Sequence, residues 1–219
     1  MSEKTISIPR PAATVMLLRD GENGLEIFMQ KRNVYEGDRF AGALVFPGGK
    51  VEEQDRDPAL HEYSRMPQAS DENQHHLRIA AIREAFEECG VLLARPRGEE
   101  TFISGARLVT LQNWRNRLNA SETTLLEFLR SENLELAGDA LVHFANWITA
   151  PIVPKRFDTH FYLVPAPADQ QLLHDDRETT ESLWTTPAAA VAAGHAKQFN
   201  IVFPTRCNLE KLALDSSVA

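Results

Sequence analysis

The chain of 219 residues is 43% apolar and 25% charged, with 11 Gly and 12 Pro, a profile that fits a soluble globular protein and excludes a disordered chain, a collagen or a coiled coil. Thirty-one acids against 23 bases give a formal charge of -8, with no run of Lys and Arg to attract nucleic acid or an anionic membrane. No apolar stretch approaches the ~20 residues of a membrane helix, and MSEKTISIPRP lacks the apolar core of a secretory signal.

A cytoplasmic protein without membrane or nucleic-acid partners is therefore expected. Its two cysteines, Cys89 and Cys207, lie far apart and in no Cys-x-x-Cys pattern, so reduced thiols are expected rather than a metal cluster.

Ala12 to Arg19 and Leu25 to Arg32 are apolar runs rich in strand formers. Asp20-Gly-Glu-Asn-Gly24 between them supplies glycines for positive φ, which predicts a hairpin. A third run, Gly42 to Phe46, is expected to stop at Pro47-Gly48-Gly49, where proline ends pairing and two glycines permit a tight turn or a close ligand approach. Residues 51–76 are polar, acidic and weakly periodic, and read as a long loop or insertion.

From Leu77 the pattern is helical, with Ile79, Ile82, Phe86 and Cys89 on one side and Gly90 at the position of a left-handed cap. A helical region follows from Ile103 to Asn133, within a second insertion spanning about 99–140. Strands are expected at Leu141–Ala150, Phe157–Val164 and Ser182–Trp184. A helix starts near Pro187 and a last one covers Thr205–Leu214. Strands mixed with helices predict a single α/β or α+β domain over 1–219 with a helical insertion.

Chemistry concentrates on the helix that ends at Cys89. Spacing of three and four residues gathers Glu84, Glu87 and Glu88 on the side opposite the apolar stripe. Three crowded carboxylates repel one another, and a hard divalent cation such as Mg²⁺ would neutralise them. The alternative is a solvated acidic face softened by an Arg83–Glu87 pair at i, i+4.

These residues, following a strand and Pro-Gly-Gly, resemble the Nudix hydrolase family, whose signature reads G-x5-E-x7-R-E-U-x-E-E-x-G-U with U a bulky apolar residue. Its second half appears as Arg83-Glu84-Ala85-Phe86-Glu87-Glu88-Cys89-Gly90-Val91, and its first half begins at Gly49. Two departures stand out. Asp55 occupies the place of the family's first glutamate, leaving Glu52 and Glu53 as substitutes for its role. The arginine expected at position 63 stands at 83, so about 20 residues are inserted within the box.

A split box resembles the coenzyme A diphosphatase branch of that family. Arg10-Pro-Ala-Ala-Thr-Val-Met, Arg156-Phe-Asp-Thr and Phe203-Pro-Thr also resemble it. The resemblance implies an α/β/α sandwich around a mixed sheet and a small nucleotide-derived substrate; a homodimer is compatible with it. Glu84, Glu87 and Glu88 are then the ligands of Mg²⁺ or Mn²⁺, with Glu87 and Glu88 in the catalytic set. Arg83 organises the acids, and Gly48 and Gly49 form the facing loop.

A downstream carboxylate often serves as base or ligand in this family. Glu178 is the candidate, with Glu181 behind it. The expected reaction is metal-dependent cleavage of a diphosphate, with coenzyme A or an acyl-CoA favoured. The alternatives are ADP-ribose or dinucleotide cleavage, and a Nudix-fold binding module without turnover.

Other residues take plainer readings. His75 and His76 are expected to face solvent, His160 and Asp158 to be structural, and Trp147 and Trp184 to belong to the core. Lys31, Arg32 and Arg39 are surface bases that lie where an extra phosphate could be met.

Overall fold

In a computed structural model that describes residues 7–33, 42–68, 71–170 and 179–218, strand β1 (Arg10–Gly21) organises the molecule. Its alternation sends Ala13, Val15 and Leu17 into one core and Met16 and Leu18 into another, none more than 6% exposed. β2 (Gly24–Arg32) returns antiparallel with Gly21 opposite Gly24, so Glu22 and Asn23 alone form the loop. Gly24, the residue just after that loop, takes φ 99°, a left-handed backbone that glycine adopts without a Cβ clash.

Next come β3 (Leu44–Val45), which pairs with β2, and β4 (Gly48–Lys50), which pairs with β1. Two short 3-10 turns, Gln54–Arg56 and Pro58–Tyr63, lead to β5 (Ser64–Arg65). Helix α1 (Glu72–Cys89) follows, then β6 (Ala94–Pro96). The helices α2 (Gly105–Thr110), α3 (Gln112–Asn119) and α4 (Leu125–Glu132) run on to β7 (Leu134–Ala137). β8 (Val142–Ile148), β9 (Phe157–Pro165), β10 (Thr179–Thr185), α5 (Pro187–His195) and α6 (Phe203–Leu212) complete the order.

The main sheet runs β10-β2-β1-β9-β8, with β3 and β4 attached to β2 and β1, and it is mixed because β1 and β9 are parallel. One face carries α1 with α2 to α4 behind it, and α5 and α6 cover the other. This is the α/β/α sandwich that the family resemblance implied, and it falls within the α/β class expected from the strand and helix pattern.

Caps set the helix ends. Asp71 accepts from the Gln74 amide at the start of α1, and Gly90 closes it at φ 70°. Ser104, Thr124 and Thr186 cap α2, α4 and α5 in the same way. α1 therefore begins six residues after Met66 and five before Leu77, in polar sequence where no apolar periodicity marks it.

Two expectations are revised. β3 does stop short of Pro47, but pairing resumes at once, with Gly48 and Gly49 opposite Thr14 and Ala13 as part of β4. Gly48 sits at φ +154°, and a Cβ there would fall 2.4 Å from the Ala13 carbonyl, so only glycine lets β4 lie this close to β1.

The stretch 51–76 is not a loose loop either. Leu60 is fully buried in the main core, and β5 pairs with β7 in a small sheet of order β5-β7-β6. Arg65 ties that sheet together through Glu135 at 2.6 Å and Glu100 at 2.7 Å.

Candidate active site

α1 is buried on nearly every side, so its acids do not form a solvated face. The stripe bearing Arg83, Glu84, Glu87 and Glu88 looks onto β4 and the 3-10 turn that follows it. Arg83 is 1% exposed and Asp55 is fully buried. They form a two-pronged pair, Nε to Oδ1 at 2.8 Å and Nη2 to Oδ2 at 2.9 Å.

The remaining Arg83 donors are also engaged. Nη1 reaches Glu84 Oε1 at 3.0 Å and Glu87 Oε2 at 3.1 Å, while Nη2 also donates to the Lys50 carbonyl at 3.0 Å. Burial works against the guanidinium's charge, but the Asp55 bonds and the charges of Glu84 and Glu87 raise its pKa overall. Arg83 is thus the joint between strand β4, the Asp55 turn and the acid stripe.

Of Asp55, Glu52 and Glu53, the turn Gln54–Arg56 brings Asp55 onto Arg83. Glu52 and Glu53 are exposed, whereas Asp55 points inward and accepts from the Glu52 amide at 2.7 Å. The turn carries the shorter side chain to the arginine, so one methylene fewer than glutamate suffices.

The glycines complete the geometry. Glu88 Oε2 accepts from the Gly48 amide at 2.9 Å. A Cβ on Gly49 would lie 2.3 Å from Glu84 Oε1, so the missing side chain is the space that the Glu84 carboxylate occupies.

Three carboxylates (Asp55, Glu84, Glu87) surround the Arg83 guanidinium while Glu88 stands on the Gly48 amide, and the imbalance registers in the acidity of Glu84 and Glu87. Burial pushes the Glu84 carboxyl up to about 7, with Arg83 opposing and the charges of Glu87 and Asp55 adding to the rise. Burial likewise raises Glu87, again against Arg83.

Hard oxygen donors with under-neutralised charge suit Mg²⁺ or Mn²⁺. The side chains of Glu84 and Glu87 remain 15% and 17% exposed, so an ion has access. As placed, no three ligating side chains among the described residues converge on one point. Arg83 holds Glu84 and Glu87, and Gly48 holds Glu88. The donor set fits a divalent cation by its chemistry, with the carboxylates parked on protein donors.

A group raised from 4.5 to about 7 favours the folded state below pH 4.5 and loses that contribution as pH climbs to about 7. His75, His76, His143 and His160 are lowered, chiefly by burial, and act in the opposite sense. The Glu84 effect is therefore read as a difference. In EDTA, Glu84→Gln is expected to melt with wild type near pH 4.5 and above it beyond about pH 7. Millimolar Mg²⁺ should stabilise wild type selectively at the higher pH. Equal melting of the two proteins at every pH speaks against a strained Glu84 charge.

Of the other sequence-singled residues, Glu178 and Arg39 lie outside the described residues. Glu181 is on β10 in an ion pair with Lys31 at 3.0 Å, rather than beside the α1 acids. His76 is 6% exposed within α1 and meets Arg56 at 3.2 Å, contrary to the solvent-facing expectation. Because α1 extends back to Glu72, both His75 and His76 ride on the helix rather than in a loop.

His160 contacts His143 at 3.0 Å, and Asp158 accepts from Asn146 at 2.6 Å, between neighbouring strands. Trp184 packs edge-on against Phe28, and Trp147 donates to Asn208. Arg115 and Asn119 of α3, unmarked by any sequence signal, bond the carbonyls at the acid end of α1.

A family model described as the NUDT19 Nudix domain matches residues 66–212. The acyl-coenzyme A diphosphatase NUDT19 of Homo sapiens is 25% identical over 237 residues, covering 90% of this chain and 62% of that protein. Its Xenopus laevis counterpart is 27% identical over 209 residues, covering 76% and 54%. The chain thus spans little more than half the length of these relatives. Among solved structures, a Nudix hydrolase from Alicyclobacillus acidocaldarius superposes with TM-score 0.77 at 24% identity, covering 98% of this chain and 95% of that one.

Proposed function

Since the chain belongs to the NUDT19 Nudix domain family, we propose that it is a metal-dependent diphosphatase that cleaves the diphosphate of a nucleotide-derived substrate, with coenzyme A or an acyl-CoA as the favoured one. The observation that carries the activity is the Arg83–Asp55 joint, which holds Glu84 and Glu87 and, with the Gly48 amide on Glu88, gathers three carboxylates of α1 against β4. The substrate preference draws on the name of the relatives, acyl-coenzyme A diphosphatase, and on the split box that this chain presents.

Glu84, Glu87 and Glu88 would hold Mg²⁺ or Mn²⁺. When bound, the ion screens the diphosphate charge and strengthens water as a nucleophile. The chain's own residues prepare that event. Arg83 and Asp55 keep the helix and β4 at one spacing. The Gly48 amide orients Glu88, and the bare Cα of Gly49 leaves room for the Glu84 carboxylate. The whole of 1–219 is proposed as a single Nudix domain, with 51–76, whose end opens α1, and about 99–140 as inserts that supply β5 and β7 of the small sheet. Among the described residues no helix is long and apolar enough to cross a membrane.

The test is product analysis with Mg²⁺ or Mn²⁺ and a panel of coenzyme A, an acyl-CoA, ADP-ribose and NADH. Release of phosphopantetheine (or its acylated form) together with an adenosine bisphosphate is the expected result. Preferential cleavage of ADP-ribose or NADH overturns the substrate assignment and keeps the chemistry. Metal affinity with no turnover of any of them leaves a nucleotide-binding module.

A further inference from the structure

The last four carbonyls of a helix lack partners within it and carry the negative end of its dipole. In α1 that end bears Glu87 and Glu88, and its last turn holds no basic residue. The chain therefore stacks acid charge on a negative pole, and something outside α1 has to answer it.

α3 answers it. Arg115, 6% exposed, donates from Nε to the Glu87 carbonyl at 3.2 Å and from Nη2 to the carbonyls of Glu87 at 3.1 Å and Glu88 at 3.0 Å. Asn119, one turn on, adds a bond to the Glu87 carbonyl at 3.3 Å, and Gln30 of β2 reaches that of Glu88 at 3.4 Å. Gly90 gives this guanidinium its room, because a Cβ there would lie 3.0 Å from Arg115 Nη1.

α3 is itself fixed by a line of rings. Trp114 packs on Phe128 of α4, which stacks on Phe86 of α1, both at 5.5 Å, and Trp114 Nε1 donates to Glu132.

We propose that Arg115 is a positioning residue: its forked guanidinium holds the peptide carbonyls of Glu87 and Glu88 and thereby fixes where the last turn of α1 presents its carboxylates to a divalent cation. The inserted helices are then part of the site's frame and not an ornament on it. The inference rests on the metal-dependent reading above, and it makes a prediction opposite to simple electrostatics. Removing a positive charge beside acids tightens cation binding by Coulomb attraction. Releasing the turn they stand on weakens it, because ligands must converge in one geometry.

The experiment measures Mn²⁺ alone, by the loss of its free-ion paramagnetic resonance signal, on the full chain at fixed pH, alongside kcat, KM and melting temperature. Arg115→Met is expected to weaken Mn²⁺ binding about 10–100-fold and to lower kcat more than it alters KM. Arg115→Lys, which keeps charge and loses the fork, recovers part of both, and Asn119→Ala shows a smaller loss in the same direction. These two milder variants carry the test if Arg115→Met does not fold.

Arg95→Met is the comparison. It removes another buried guanidinium, the one bonded to Asp139 at 2.7 Å, and touches no atom of α1's last turn. It should lower the melting temperature while leaving Mn²⁺ affinity unchanged. Unchanged or tighter Mn²⁺ binding in the Arg115 variants overturns the inference, as does equal weakening in Arg95→Met. Wild-type protein that binds no Mn²⁺ overturns the metal-dependent reading and the inference together.

Discussion

Asp55→Ala is expected to destabilise the folded protein by about 3 kcal/mol, the range found when one partner of a buried ion pair is removed. Asp55 is fully buried and Arg83 is 1% exposed, so water cannot replace the lost carboxylate. Two guanidinium donors, Nε and Nη2, lose their charged acceptor, and the Glu52 amide loses the bond that closes its turn. Glu84, Glu87 and the Lys50 carbonyl still hold the other side of the arginine, which keeps the loss from growing larger. Urea unfolding in EDTA would show a lower midpoint with an unchanged slope. Adding Arg83→Met should cost less than it does in the wild-type background, because its two bonds to Asp55 are already gone, and a double-mutant cycle should give a coupling well above 1 kcal/mol. A loss below 1 kcal/mol for Asp55→Ala would mean that the pair is not the joint of strand and helix.

This joint marks the boundary of what the sequence discloses. β1 and the core side of α1 are legible because their apolar residues repeat at periods of two and of three to four, and Gly90 stands where a left-handed cap must fall. Asp55 is not legible against Glu52 and Glu53, since all three are acids within four residues. Only the 3-10 turn, which buries one and exposes two, separates them. The strand character of Gly48 and Gly49 is equally hidden. Glycine has little intrinsic strand preference, and its place in β4 follows from contacts with Ala13, Thr14, Glu84 and Glu88 made far along the chain.

The same holds at the front of α1, where Asn73, Gln74, His75 and His76 carry no apolar rhythm and the Asp71 cap has to be seen to be used. The two-residue β5 is too short to signal itself, and its pairing with β7 joins residues some seventy positions apart. Arg115 belongs with these, because a partner 28 residues from Glu87 is found by packing and by nothing local.

Glu88→Gln is expected to reduce kcat on the order of a thousandfold, since a charged oxygen ligand is worth several kcal/mol of transition-state stabilisation and each 1.36 kcal/mol is tenfold. The fold should not suffer. A glutamine oxygen can still accept from the Gly48 amide, which Glu88 Oε2 meets at 2.9 Å, so the tie between α1 and β4 survives. The substitution also withdraws one negative charge from the acidic last turn of α1, where Glu87 is its neighbour, and the metal-free protein should melt at the wild-type temperature or above it. Activity and stability therefore move apart, which a purely structural role for Glu88 would not produce. Kinetics in saturating Mn²⁺ and thermal scans in EDTA on the same preparation decide the matter. Wild-type turnover would remove Glu88 from the metal set, and a large fall in melting temperature would make its bond to Gly48, rather than its charge, the reason for its place.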